Sequence, residues 1–317
     1  MIAFLAFCGR RGTLLLAAGF FIGIAVPPLA ALLRPLLSTF VFLLTAATML
    51  GLDWRALAAH LKKPVRLALV VAWTMLGAPV ATALALRYVA LPQPLSSALV
   101  LWAASPPLIS VPAISALLGL DPALALLVWA LGTFLTPLSL PPLVLGLIGL
   151  QLDISILHLT LSLAAFVLGA AALAGIARML LGAPRIAANR DAVSGLNVVL
   201  LLLFCVAVMD GMTRTLADDP ARVLLYAASA TAASAVLQGV SFLVFLRLER
   251  GAALTAGLIG GSHNIALVWA NLPTGTASEL LLFFAVVQLP IFVLPAFSKP
   301  VYRWLAAKPR STSPAGG

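Results

Sequence analysis

Residues 99–121 read LVLWAASPPLISVPAISALLGLD, and residues 255–273 read TAGLIGGSHNIALVWANLP. In the first stretch Pro106, Pro107 and Pro112 crowd the centre of an apolar run. A proline removes a backbone donor and its ring clashes with the preceding turn, so three of them cannot continue an ordinary helix. In the second, Gly257, Gly260 and Gly261 loosen the backbone directly before Ser262, His263 and Asn264. The pattern predicts two apolar segments, each broken near its middle.

The composition says where such segments live. Of 317 residues, 63% are apolar or aromatic and 9% are charged. A soluble domain averages about 45–50% and about 25%, because it needs polar residues to cover its surface. These proportions exclude a cytosolic enzyme, a disordered chain and a fibrous protein, and point to an integral membrane protein. A spanning helix takes about 20 residues, so the length allows about ten spans with no room for a soluble domain. Cys8 and Cys205 are two thiols only, which excludes a disulfide framework or a cysteine metal cluster.

Apolar runs separated by charged or Pro/Gly clusters fall at 13–33, 36–52, 66–90, 94–118, 122–150, 155–181, 192–212, 221–247, 252–272 and 279–305. Helices are expected throughout, since the runs lack the alternation of barrel strands. The basic residues orient them. Arg10, Arg11, Arg55, Lys62, Lys63, Arg66, Arg178, Arg185, Arg190, Arg247, Arg250, Lys299, Arg303, Lys308 and Arg310 fall on the side of the two termini. Only Arg34, Arg87, Arg214 and Arg222 fall on the other. Positive loops face the cytoplasm, so both termini are expected there, in a bacterial inner membrane. The same reading accounts for the net charge of +10 without nucleic acid. Arg10 and Arg11 before an apolar run also look like a twin-arginine export signal, but apolar segments continue to the C-terminus and no clear cleavage site follows.

The two broken segments are the fourth of the first five and the fourth of the second five. The segments after them also correspond, with Pro137 and Pro141 matching Pro290 and Pro295. Two five-helix halves with an odd number of spans insert in opposite orientations, the inverted-repeat pattern of secondary transporters. The plainer alternative is a set of ordinary kinks, since Pro and Gly are common in membrane helices. The expected organisation is an N-terminal cytoplasmic end at 1–12, a first five-helix repeat at 13–150, a second, inverted repeat at 155–305, and a disordered polar tail at 306–317.

Several stretches together resemble the bile acid:sodium symporter (BASS) family. FLLTAATMLGLDWRAL, KKPVRLALVVAWTMLGAPVATALAL and LPQPLSSALVLWAASPP look like its second to fourth helices. ALLGLDPALALLVWALGTFLTPLSLPP looks like its crossover and fifth helix, and GLIGGSHNIALVWA is similar to its ninth. The resemblance covers about residues 36–300. It implies an all-α polytopic membrane protein of ten transmembrane helices. Segments 1, 2, 6 and 7 would form a panel domain. Segments 3–5 and 8–10 would form a core domain, with the broken fourth and ninth crossing. It implies alternating-access transport of a small organic anion, bile acid-like or another carboxylate or sulfate, with sodium as coupling ion. A monomer or weak homo-oligomer is expected.

This chain departs from the family pattern where that pattern carries side-chain oxygens. Ile259 stands in place of a Glu, His263 in place of a Gln, Pro112 in place of an Asn and Thr74 in place of a Gln. The polar groups left near the breaks are Thr74, Ser105, Ser110, Thr133, Thr136, Ser262 and Asn264, with the freed carbonyls around Pro106 and Pro112. That set would hold one weakly bound ion at most. No metal site and no cofactor beyond sodium is implied. His263 is the titratable residue placed nearest the midplane, where an ionisable group is a functional candidate. Its ordinary pKa near 6.5 suits a proton relay or a switchable anion contact. Equally, a neutral imidazole could bond Ser262 or a freed carbonyl and close the break. Single Ser and Thr residues in such segments commonly bond their own helix. Gln238 and Asn197 are expected to face a cavity or a neighbouring helix, and Asp210 an entry vestibule. Asp121, before Pro122, is expected to cap segment five.

An organic-anion transporter with proton-linked, facilitative or export transport is the nearest alternative, and a membrane scaffold or sensor is a second. No nucleophile, acid–base pair or metal cluster suggests an enzyme. The orientation has a direct check. With Cys8 and Cys205 replaced by Ala, Arg185→Cys should react with an impermeant thiol reagent only from the cytoplasmic side. Arg214→Cys should react only from the opposite side. Labelling of both from one side would break the assignment.

Overall fold

A computed structural model describes residues 2–10, 12–52, 64–148, 155–272, 278–288, 290–291, 299–302 and 304–305. The described residues are helical with no strand. Six helices are long and apolar enough to cross a membrane: Pro27–Gly51, Pro64–Leu86, Pro122–Leu147, Ile156–Leu181, Arg190–Asp218 and Pro220–Val244. Large apolar side chains such as Leu32, Leu138, Leu168 and Leu224 stay exposed on them, as lipid-facing residues do. This is an integral membrane protein.

The remaining apolar segments are shorter for separate reasons. Segment four divides into Gln93–Ala104 and Val111–Leu117, and segment nine into Arg250–Gly260 and Ile265–Trp269. Both breaks fall where the prolines and glycines place them. Segment one ends early. Its helix is Gly12–Ala25, and the chain leaves helical backbone at Val26. Pro27 and Pro28 then sit in the first turn of the next helix, the position where a missing N–H costs nothing. The boundary expected at Arg34–Pro35 is instead bridged by a 3-10 turn, Arg34–Leu36, which leads directly into Leu37–Gly51. Segment ten begins as Ser278–Val286. Pro295, expected to match Pro141, lies outside the described residues, as do Arg11, Arg55, Lys62, Lys63, Arg303 and the tail at 306–317.

Two further features are local. Ile2–Arg10, expected as a cytoplasmic end, is helical and packs along Arg190–Val208. In Pro64–Leu86 the turn Trp73–Gly77 widens to a π-helix. A proline ring clashes with the carbonyl four residues back, here Met75, ahead of Pro79, and a wide turn makes room for it.

The helices pack in two sets. Arg190–Val208 lies against Ile2–Arg10, Gly12–Ala25 and Leu37–Gly51, and Leu37–Gly51 also meets Ile156–Leu181. In the other set Pro220–Val244 packs on Arg250–Gly260 and Ser278–Val286, and Pro122–Ile148 on Pro64–Ala72, Gln93–Ala104, Val111–Leu117 and Arg250–Gly260. Pro122–Ile148 also touches Ile156–Leu181, the next helix in the chain.

Glycines let the second set close. A Cβ on Gly132 would lie 2.7 Å from Pro107 Cδ, so only a glycine lets the Pro122–Ile148 helix press on the first break. A Cβ on Gly260 would collide with the Ser241 hydroxyl, which accepts the Trp73 indole N–H at 2.8 Å. Gly260→Ala should therefore destabilise the protein by about 1–3 kcal/mol, the ordinary cost of overpacking. A lowered melting temperature in detergent checks it; an unchanged one would mean the two helices are not in contact.

Candidate functional site

The two breaks pair with each other. Leu108 N–H donates to Ser262 O at 2.8 Å and Asn264 N–H to Pro106 O at 2.7 Å. Pro107 and His263 thus form a one-pair antiparallel bridge. The pairing follows from what each break lacks. Prolines leave carbonyls without N–H partners in one segment, and the other supplies an N–H at the matching place. Antiparallel geometry lets two such segments exchange bonds on both sides of one residue pair.

His263 closes the crossing. It is fully buried. Its Nδ1 lies 2.9 Å from Ser105 O, across the bridge, and its Nε2 lies 2.9 Å from Gly260 O, in its own segment. The Trp102 indole packs on it edge to face, with ring centroids 5.0 Å apart. The ring thus faces two carbonyls, of which a neutral imidazole can donate to one, and Ser262 is not its partner among these contacts.

The other singled-out hydroxyls divide into two kinds. Thr74, Ser105, Thr133 and Thr136 are buried, and each donates to the carbonyl four residues back in its own helix, to Val70, Leu101, Trp129 and Gly132 at 2.7–2.8 Å. These four are spent within their helices and do not bond to one another. Ser110 and Asn264 stand at the starts of Val111–Leu117 and Ile265–Trp269, and they share a cavity. Pro106 lends its carbonyl to the bridge, and Pro112 sits in the first turn of Val111–Leu117.

That cavity encloses about 30 Å³. Ser110, Asn264 and Gln288 supply its polar wall, while Thr45 and Phe204 face them from Leu37–Gly51 and Arg190–Val208. It lies where the two sets of helices meet at the crossing. Its size suits one or two waters, so it is closed to any organic anion in this conformation. A second cavity of about 10 Å³ lies against Ser234, Gln238 and Ser262. Trp102, whose indole N–H is buried without a partner, lines it too. Gln288 was not singled out from the sequence, where it is one amide inside an apolar run next to a proline.

The polar residues outside the crossing have structural partners. Asp121 caps its helix through Leu124 N–H at 2.9 Å and pairs with Arg66 at 3.0 Å. Asn197 accepts from Thr48 at 3.3 Å, and Gln238 accepts from the Tyr302 phenol at 2.9 Å. Asp210 pairs with Arg34 at 2.7 Å. Arg222 pairs with Glu279 at 3.0 Å, and Tyr226 donates to the same carboxylate at 2.7 Å. Ile259 is fully buried in an apolar cluster with Leu254 and Leu258. Among the described residues, no group of three or more His, Cys, Asp or Glu could hold a metal ion.

No family model matches the chain, and no curated protein matches it. The arrangement of its own residues carries the functional argument.

His263→Phe removes the ring that faces two buried carbonyls and should cost at least about 1–3 kcal/mol, the penalty for one orphaned acceptor. Asn264→Ala should cost under about 1 kcal/mol, because the backbone N–H of Asn264, not its side chain, makes the bridge. Thermal unfolding in detergent ranks the two; equal effects would contradict the clamp.

Proposed function

We propose that this protein is a secondary transporter of a small organic anion, of the bile acid:sodium symporter type, working by alternating access. One observation carries the reading: two interrupted helices pair at their breaks beside a small, partly polar cavity that both sets of helices line. Irregular backbone at membrane depth is tolerated only where it is buried in protein or lines a cavity, and transporters place substrate sites there.

Two further features support it. The helix set around Arg190–Val208 comprises segments 1, 2, 6 and 7, the membership expected of a panel, and the other set that of a core. The ion pairs are consistent with ten spans. Arg34–Asp210 and Arg222–Glu279 each join groups that the charge count puts outside, and Arg66–Asp121 joins groups it puts inside. In this reading the core moves against the panel. The cavity at Ser110 and Asn264 widens on one side and then the other. The helices that begin there are short, of seven and five residues, so their dipoles add little. Polar side chains and open backbone would do most of the anion's binding.

The coupling ion is a separate matter. The buried Ile259 supplies no carboxylate for sodium, a hard cation that needs several oxygen ligands. That favours proton-linked or facilitative transport within the same fold.

The test is uptake into proteoliposomes of labelled acetate, pyruvate, benzoate and taurocholate, under inward sodium, potassium and proton gradients. Saturable uptake of at least one is expected, and Ser110→Trp, which fills the cavity, should abolish it. Failure to take up any of these four anions would overturn the reading, and strong sodium dependence would overturn the coupling assignment.

A further inference from the structure

We propose that His263 is the cation site of this protein, and that the cation is a proton. Uptake of a proton on the second ring nitrogen completes the clamp between the two breaks, and release to water loosens it.

The geometry makes the case. Both ring nitrogens sit 2.9 Å from backbone carbonyl oxygens. A carbonyl can only accept. A neutral imidazole has one N–H, so one of its nitrogens would aim a lone pair at an oxygen. Only the imidazolium donates to both. Charge-assisted bonds of this kind are about twice as strong as neutral ones.

The helix ends act in the same direction. Ser105 is the C-cap of Gln93–Ala104, and Gly260 is the last residue of Arg250–Gly260. Two helix C-termini thus converge on one ring. A helix C-terminus carries roughly half a negative charge and favours a cation, and here two supply that field. The imidazole stands where a bound cation would gather the carbonyls of both breaks, so the side chain itself carries the charge.

Among the described residues, no fixed charge lies at the crossing. Arg66, Arg190, Asp191, Arg222, Arg250 and Glu279 lie in the first turns of their helices. Gln93–Ala104, Val111–Leu117, Pro122–Ile148, Leu37–Gly51 and Ile265–Trp269 carry no charged residue. Two other titratable groups, Tyr226 and Cys205, lie on these helices, and a third, Tyr302, lies in the stretch 299–302. Tyr226 is bonded to Glu279, Tyr302 to Gln238, and Cys205 lies in the apolar cluster with Phe204. A burial of 0% exposure means that proton exchange needs the crossing to open, which ties the proton to the conformational change.

The inference rests on the transport reading only for the role of coupling; the protonation itself is tested without substrate. The full chain carrying His60→Gln and His158→Gln, with His263 as its single histidine, is labelled with ring-15N histidine and placed in liposomes. Solid-state NMR then follows the two ring nitrogens from pH 4.5 to 8.5. The expected result is two N–H-type resonances at the acid end, with one converting to the unprotonated type as pH rises. One unprotonated nitrogen at every pH would overturn the proposal. Two protonated nitrogens at every pH would also overturn it, since a proton that never leaves couples nothing. If the titration is seen but no anion is transported, the proton site stands and the transport reading falls.

Discussion

A peptide group without a partner in hydrocarbon costs several kcal/mol, and this chain opens two helices where no water is available to repair them. The repair is mutual. Prolines at 106, 107 and 112 open one segment, the loop at 261–264 brings the Asn264 N–H and an imidazole to its carbonyls, and Leu108 N–H donates back to Ser262 O, so that two backbone bonds fix the pair. Neither break would be tolerable alone. The rest of the packing serves this contact: Gly132 brings one helix onto Pro107, and Ser234 donates its hydroxyl to Gly261 O at 2.5 Å to hold the other side.

Such a crossing makes one set of helices stiff. Its strands of chain exchange bonds at the centre, and its apolar residues pack on both sides of the bridge. The second set joins it across a small, partly polar cavity at Ser110 and Asn264. In the proposed mechanism the stiff body moves as a unit and the cavity changes sides. The coupling then depends on what neutralises the freed carbonyls. In that proposal Ile259, buried in an apolar cluster, offers no oxygen ligand, and His263, between two helix ends, carries the charge itself.

Much of this was legible in the residues. The breaks at 105–110 and 261–264 follow from proline and glycine chemistry alone, and the Asp121 cap from its place before Pro122. The first segment was misread because two proline signals compete there. Pro35 looks like a boundary, but Pro27 and Pro28 are the helix start, and a single 3-10 turn absorbs Pro35. The helix at Ile2–Arg10 gave no signal of its own, since so short a stretch of mostly apolar residues suits a loop, a leader or a helix equally and packing on Arg190–Val208 decides. The π-turn at Trp73–Gly77 depends on how one proline ring is accommodated, which spacing does not encode. The site hydroxyls were recognised as polar groups near the break, but their partners depend on rotamers. Four turned back onto their own helices, and the unremarkable Gln288 reached the cavity.

The central claim is that the breaks pair with one another, and a disulfide across the bridge tests it most directly. Leu108→Cys and Ser262→Cys, in a chain with Cys8 and Cys205 replaced by Ala, place one thiol on each broken segment beside an intact His263. After oxidation with copper phenanthroline, the chain is cut at a protease site inserted between residues 182 and 189. The account predicts that the two halves stay joined on a non-reducing gel and separate when reduced. Halves that separate without reductant, while each thiol still labels singly, would contradict the crossing and everything argued from it.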